Sequence, residues 1–313
     1  MTKIKHLPLY GGQALIEGVL MRGSSTLAAA FRTPSGEIAI QKEQLDGIYK
    51  SKIKSIPFLR GLIILWDSLV LGTRYLTISA NYQGEEEEKI EGIQLVLTLI
   101  FSLVIAVAFF FVLPALISEW LETVLNMHNF WSNLFEGVIR LILVVAYIWV
   151  VGKIPEIKRV FSYHGAEHKT INAFENGTEL TVENIQKFSV ENPRCGTAFL
   201  LTLIILSILV FVLLGPLPIL WRLISRIVLL PVLAGFAYEF IRWTGKNQHL
   251  AIVQWLMKPN LALQHLTTAE PDDKMVEVAL AAFNAMLEQE EMIHDEDSAK
   301  VIRETPVLEG KVN

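Results

Sequence analysis

The stretch IQLVLTLIFSLVIAVAFFFVL, Ile93 to Leu113, contains no charged residue and runs into Pro114. About 20 apolar residues, rising about 1.5 Å each, cross the hydrocarbon of a bilayer. The segment is read as a spanning helix, and three more follow it. Phe130 to Val151 carries Glu136 and Arg140, four apart and so on one helix face where they can pair. Thr197 to Leu214 ends at Gly215-Pro216-Leu217-Pro218. Trp221 to Ile241 has Arg222 and Arg226 near one end and Glu239 near the other. The tight Gly-Pro-Leu-Pro turn makes the last two spans an antiparallel hairpin.

Composition agrees with this reading. Of 313 residues, 52% are hydrophobic and 19% charged, with a mean hydropathy of +0.43; soluble domains carry about a quarter charged residues. The net charge of -5 gives no reason to expect a nucleic-acid partner, and no cofactor fingerprint is present. The single cysteine, Cys195, rules out an intramolecular disulfide and fits a reducing compartment. Met1 to Tyr10 has neither an apolar core nor a small-residue cleavage site, so the first spanning helix is expected to direct insertion.

Orientation follows from basic residues in short loops. Pro114 to Glu136 has no Lys or Arg, whereas Gly152 to Gly196 has Lys153, Lys158, Arg159, Lys169, Lys187 and Arg194. Lys50, Lys52, Lys54 and Arg60 make the N-terminal region basic as well. Both termini and the central loop are therefore expected on the cytoplasmic side of the plasma membrane. Arg222 and Arg226 run against the rule and are expected to snorkel to the interface. Phe58 to Val70 is apolar but broken by Gly61 and Asp67. It is too short for a comfortable span and is read as interfacial or re-entrant; the alternative, a fifth span, would place the N-terminus outside.

The resulting fold class is an α-helical polytopic membrane protein with about four spans, a small antiparallel β region at its N-terminus and a cytoplasmic helical C-terminal region. Its layout is a β-rich cytoplasmic region (1–57), an interfacial or re-entrant helix (58–80), a first transmembrane hairpin (93–151), a cytoplasmic loop (152–196), a second hairpin (197–241), a cytoplasmic helical region (242–291) and a disordered tail (292–313). In the first region, residues 9–44 read as a meander turning at Pro34-Ser35-Gly36. Gly11, Gly12 and Gly18 match neither a P-loop nor a dinucleotide fingerprint and are read as turn or bulge glycines. Glu85 to Glu88 is a solvated lead-in to the first span. His249 to Met257, ended by Pro259, is expected along the membrane surface. Glu270-Pro271 opens a helix whose Met275, Val278, Ala279, Ala282, Phe283 and Met286 share one apolar face. That face is expected to pack on the meander or the central loop.

The central loop contains His164-Gly165-Ala166-Glu167-His168. Two His four apart on a helix project from one face, close enough to share a metal ion, and Glu167 can reach a water on that ion. This is the inverted zincin pattern H-x-x-E-H. Zn²⁺ lowers the pKa of its water to about 7, and a glutamate can then take the proton. The set predicts His164 and His168 as metal ligands and Glu167 as general base. A third ligand is needed. Cys195, Glu239 and Glu175 are the candidates, with Arg194 beside Cys195 favouring its thiolate. The plainer readings are a solvated helix face for the His pair, a buried small residue for Cys195 and an interfacial ion pair with Arg242 for Glu239. Glu17 pairs with Arg22 or belongs to the site.

Three segments carry a family resemblance: Gly11 to Gly23 (GGQALIEGVLMRG), Tyr163 to Thr170 (YHGAEHKT) and Pro193 to Thr197 (PRCGT). Together they resemble the bacterial DUF1385 family of membrane proteins, from about Tyr10 to Leu287. The resemblance implies a predicted metal-dependent enzyme with no established substrate, and matches His164, Glu167, His168 and Cys195 to motif positions. The family often has a His where this chain has Asn192, which directs the third-ligand assignment to Cys195. Two functions are carried forward. One is a zinc-dependent hydrolase at the cytoplasmic membrane interface, acting on a lipid-linked or membrane-peptide substrate. The other is a non-enzymatic scaffold, biogenesis factor or transporter component built on Glu136, Arg140 and Arg226.

Overall fold

The structure is a computed structural model, described over residues 10–45, 56–84, 92–126, 128–214 and 217–304. The expected roles of Lys50, Lys52, Lys54, Glu85 to Glu88 and the Gly215-Pro216 turn lie outside the described residues. Four strands, β1 (Gly11–Leu15), β2 (Gly18–Arg22), β3 (Thr26–Arg32) and β4 (Ile38–Gln44), form an antiparallel meander in sequential order. β1 and β2 are joined by the two-residue turn Ile16-Glu17, with Glu17 in the left-handed region at φ 52°. β2 and β3 are buried on both faces, which is why they read as unbroken apolar runs. Val19, Met21, Ala28 and Ala30 meet one helical layer, while Leu20, Leu27, Ala29 and Phe31 meet Leu71 and Tyr75 on the other side.

The first layer is α5 (Pro155–Glu175) and α10 (Asp273–Glu304). The apolar face of α10 predicted from Met275 to Met286 packs on the meander and on the central segment together. α10 remains helical to Glu304, beyond the point where the sequence predicts a disordered tail.

The second layer is α1 (Leu59–Gln83), one helix of 25 residues. Its first half lies against α8 (Ile219–Lys246), so closely that a Cβ on Gly61 would sit 2.8 Å from that of Tyr238. Its second half belongs to the sheet. The Tyr75 hydroxyl donates to Glu43 (2.9 Å), the Ile16 N–H donates to Ser79 (3.2 Å) and the Gln83 amide donates to the Arg32 carbonyl (2.6 Å). The predicted interfacial segment is thus the start of a longer helix that leaves the spans and ends in the soluble core.

Among the described residues, four helices are long and apolar enough to cross a membrane: Gly92–Leu125, Phe130–Val151, Gly196–Leu213 and Leu220–Lys246. The first does not end at Pro114 as predicted. It comprises α2 (Gly92–Val107), a π-helical turn (Ala108–Val112) and α3 (Leu113–Leu125). Proline has no N–H for the carbonyl four residues back. The Phe110 carbonyl instead accepts from Arg140 Nε at 3.0 Å, and the π turn absorbs the distortion. α4 (Asn129–Val151), the short α6 (Val182–Gln186), α7 (Gly196–Leu213) and α9 (Ala251–Gln264) complete the molecule. Pro259 lies inside α9 and does not end it.

Arg222 and Arg226 do not snorkel. Both are buried, because carboxylates meet them there: Arg222 pairs with Glu119 (2.8 Å) and Glu122 (3.0 Å), and Arg226 with Glu136 (2.8 Å). The predicted Glu136–Arg140 pair forms at 2.8 Å.

Candidate metal centre

α5 starts with Pro155 at its first turn, where a missing N–H costs nothing, and presents its central residues inward. His164 and His168 stand one turn apart with ring centroids 4.3 Å from each other. Each ring is held by its Nδ1, His164 against the Thr267 carbonyl (2.9 Å) and His168 against the Val190 carbonyl (2.6 Å). Carbonyls only accept, so both rings carry hydrogen on Nδ1 and offer a lone pair at Nε2. Gly165 lies between them because a Cβ there would be 2.1 Å from the Ala269 carbonyl oxygen. Glycine permits the close approach of the segment that supplies Thr267.

The sulfur of Cys195 completes the group. Cys195 caps the N-terminus of α7, where its sulfur accepts from the Thr197 N–H at 3.4 Å and lies 3.2 Å from the Thr197 hydroxyl. A helix N-terminus favours negative charge at that place. His164 Nε2 is 3.2 Å from the sulfur. Among the described residues, His168 Nε2 is buried without a hydrogen-bond partner. Ligand atoms of His164, His168 and Cys195 all lie within 4.8 Å of one another. A tetrahedral zinc, at about 2.0–2.1 Å from nitrogen and about 2.3 Å from sulfur, places its donors about 3.3–3.6 Å apart. Two imidazoles anchored by carbonyls and a sulfur are a donor set that suits such an ion, and their spread of up to 4.8 Å means that they would draw closer to hold it.

Glu167 lies beside this trio, in the wall of a cavity of about 440 Å³ shared with Gly12, Arg22, His168, Asn192 and Cys195. It is 5% exposed. Burial pushes its pKa up to about 7, against the opposing pull of His164 and of the Gly12 N–H. Its Oε2 has no partner. The carboxyl presses so closely on β1 that a Cβ on Gly12 would meet Glu167 Cδ at 2.8 Å and the Leu20 carbonyl at 2.5 Å. Gly12 is therefore a close-approach glycine in a strand, a role its reading as a turn or bulge residue misses.

The other predicted residues are elsewhere. Glu239 is held by the Arg60 guanidinium and by the Phe58 N–H (3.1 Å) on the flank of α1, and is not brought to the His pair. Glu175, the remaining candidate for third ligand, holds the Arg194 guanidinium and is not grouped with the His pair, and Arg194, expected to favour the Cys195 thiolate, is engaged by that carboxylate. Glu17 pairs with Arg159 (2.5 Å) and accepts from the Tyr163 hydroxyl (3.1 Å), joining the first hairpin to α5. Arg159 leads the causes that lower its pKa. Asn192 is structural: its Oδ1 accepts the Arg194 N–H at 2.9 Å and shapes the turn before Cys195. Gln264 escapes the sequence altogether. Its buried amide brackets Asn192, accepting from the N–H (2.8 Å) and donating to the carbonyl (2.9 Å). The anchors Thr267 and Val190 act through backbone carbonyls, which no side-chain pattern announces.

The three resembling segments thus meet at one cavity. A model of the family described as "Protein of unknown function (DUF1385)" matches residues 56–289. A Bacillus subtilis (strain 168) protein carrying the name "Uncharacterized protein YqhQ" is 36% identical over 305 residues, covering 93% of this chain and 96% of its own. The chain belongs to the DUF1385 family. The family model begins after the Gly11–Gly23 segment. No solved structure matches.

Proposed function

We propose that this protein is a metal-dependent hydrolase, zinc being the ion its donors suit, with its site on the cytoplasmic face of the plasma membrane. One observation carries the reading: two imidazoles fixed by Nδ1 contacts to carbonyls direct Nε2 toward a sulfur that arrives from a distant helix cap. His164, His168 and Cys195 would hold the ion. Zinc would supply Lewis acidity toward a carbonyl or phosphoryl oxygen. Glu167 is the general base: buried, with one oxygen unpartnered, it holds and passes on the proton of the attacking water. The spans beneath the site favour a lipid-linked or membrane-peptide substrate. Basic residues between Gly152 and Gly196 support termini on the cytoplasmic side.

Metal analysis of the purified protein tests the reading. About one equivalent of zinc is expected in the wild type and much less in His164→Ala/His168→Ala; a wild type without stoichiometric transition metal overturns it. The buried Glu136–Arg140–Arg226 network favours a second reading, a non-enzymatic scaffold. If Glu167→Gln supports full function in cells and Glu136→Ala does not, the scaffold reading replaces catalysis.

A further inference from the structure

The first strand has an open edge, and the metal donors lie beside it. Among the described strands, β1 is outermost in the sheet and pairs with β2 alone. Residues flanking a two-residue hairpin turn form a hydrogen-bonded pair, and such pairs recur at every second position. Leu15, Gln13 and Gly11 therefore direct their N–H and C=O at β2. Gly12, Ala14 and Ile16 direct theirs away from it. Two contacts agree with this parity. The Ile16 N–H donates to Ser79 of α1 (3.2 Å), and the Gly12 N–H donates to the Glu167 carboxyl. The Gly12 carbonyl and the Ala14 N–H point the same way. Among the described residues, neither has a hydrogen-bond partner. Gly12 is exposed and Ala14 partly so. An uncovered edge of this kind is a template for a further strand.

The edge opens on the cavity of about 440 Å³ that contains Glu167, His168 and Cys195. Its walls come from both layers that sandwich the sheet. Glu167 and Ile171 of α5 stand on one side, Leu71 and Gly72 of α1 on the other, and Gly11 to Gln13 lie between them. A cavity bounded in this way passes the edge of the strand and is not confined to one face. Gly11 presents bare backbone to it, since a Cβ there would meet no atom within 4 Å. The Gly12 carbonyl and the Ala14 N–H are two residues apart on one edge. At that spacing one residue of an adjoining strand donates to the first and accepts from the second. Successive side chains of the added strand turn to opposite faces. One would meet Leu20 and Leu71, and its neighbour would turn to Glu167 and His168.

We propose that the substrate is a peptide, bound in extended form along the open edge of β1 with its scissile bond beside Glu167. The inference rests on the hydrolase reading and narrows its substrate. In the reaction the water oxygen bonds to the peptide carbonyl carbon, the C–N bond breaks, and the proton taken by Glu167 passes to the leaving nitrogen. A lipid-linked substrate would fill the same volume and leave the strand edge unpaired. The test is a titration of the cobalt-loaded full-length protein in detergent, followed by its visible spectrum. The probes are acetohydroxamate, octanohydroxamate, acetyl-Leu-Leu-Leu hydroxamate and the same peptide methylated at its amide nitrogens. Each carries the same metal-binding group, so differences report the rest of the molecule. The tripeptide is expected to bind at least about tenfold more tightly than acetohydroxamate, and its methylated form to lose about tenfold. If acetohydroxamate leaves the spectrum unchanged, the metal reading is overturned and this inference with it. If acetohydroxamate binds and the tripeptide is no tighter, or methylation costs nothing, this inference alone is overturned. Octanohydroxamate binding as tightly as the tripeptide also overturns it, and marks a lipid-linked substrate.

Discussion

Whether a strand residue at position 12 has a Cβ decides where Glu167 can be. Gly12→Ala places a methyl 2.8 Å from the Glu167 carboxyl carbon and 2.5 Å from a strand carbonyl. The second contact is to backbone and cannot rotate away. A loss of about 1–3 kcal/mol is expected, seen as a lower melting temperature in detergent, with displacement of the Glu167 carboxyl. Cys195→Ser replaces a soft donor by a hard one. Cobalt-loaded wild type is expected to show a sulfur-to-metal charge-transfer band, and Cys195→Ser to lose the band and bind at least about tenfold more weakly. An unchanged spectrum would place the sulfur outside the coordination sphere. At this scale the His pair and its glutamate are legible in sequence, because an i, i+4 spacing on a helix is geometry. The resemblance already favours Cys195 as the third ligand; what the fold adds is that Arg60 claims Glu239, on a different helix.

At the scale of elements, the first hairpin is tied to α5 by Glu17. Arg159 and the Tyr163 hydroxyl lower the Glu17 pKa in the folded protein, although burial opposes them. A depressed folded pKa contributes stability above the ordinary carboxylate range, lost as pH falls through the folded value. Glu17→Gln is therefore expected to be less stable than wild type at neutral pH, by under about 1 kcal/mol because Arg159 is half exposed. The gap should close as pH drops below the ordinary value of 4.5, and melting curves at pH 7 and pH 3.5 measure it. A gap that persists at low pH would mean the tie is not ionic. The loop before Cys195 depends in the same way on α9, through the bracket from Gln264 to Asn192. Gln264→Ala is expected to weaken the cobalt charge-transfer band without abolishing metal binding by the His pair. Hydrophobic runs make the four spans legible. Pro114 misleads, because a distant arginine takes over the carbonyl that proline leaves empty. α1 misleads differently: its apolar first half and its sheet-bound second half answer to different neighbours, and no single periodicity describes both.

For the whole molecule, the spans depend on buried charge. Glu136→Ala leaves the Arg140 and Arg226 guanidiniums without their shared carboxylate, a loss expected to reach about 3–5 kcal/mol. Size-exclusion profiles in mild detergent should show the variant aggregating where the wild type is monodisperse. Orientation has its own test. Asn126→Cys, in the turn after α3, is expected to react with an impermeant maleimide in intact cells, while Thr178→Cys, after α5, should react only after lysis. The reverse pattern would invert the topology.

α1 lies beside a span at one end and ends in the sheet at the other, and in between Leu71 and Gly72 form part of the cavity wall. Gly72 sits so close to the Gln13 amide that a Cβ would be 2.2 Å from it, so helix and β1 cannot slide independently. A helix held at both ends transmits load between them. Thickening or thinning the host bilayer would load the end beside α8 and carry the strain along α1 to the cavity wall at Leu71 and Gly72, while the imidazoles are anchored separately on α5. On the proposed hydrolase reading, turnover should therefore vary with the acyl-chain length of the surrounding lipid even where metal content does not.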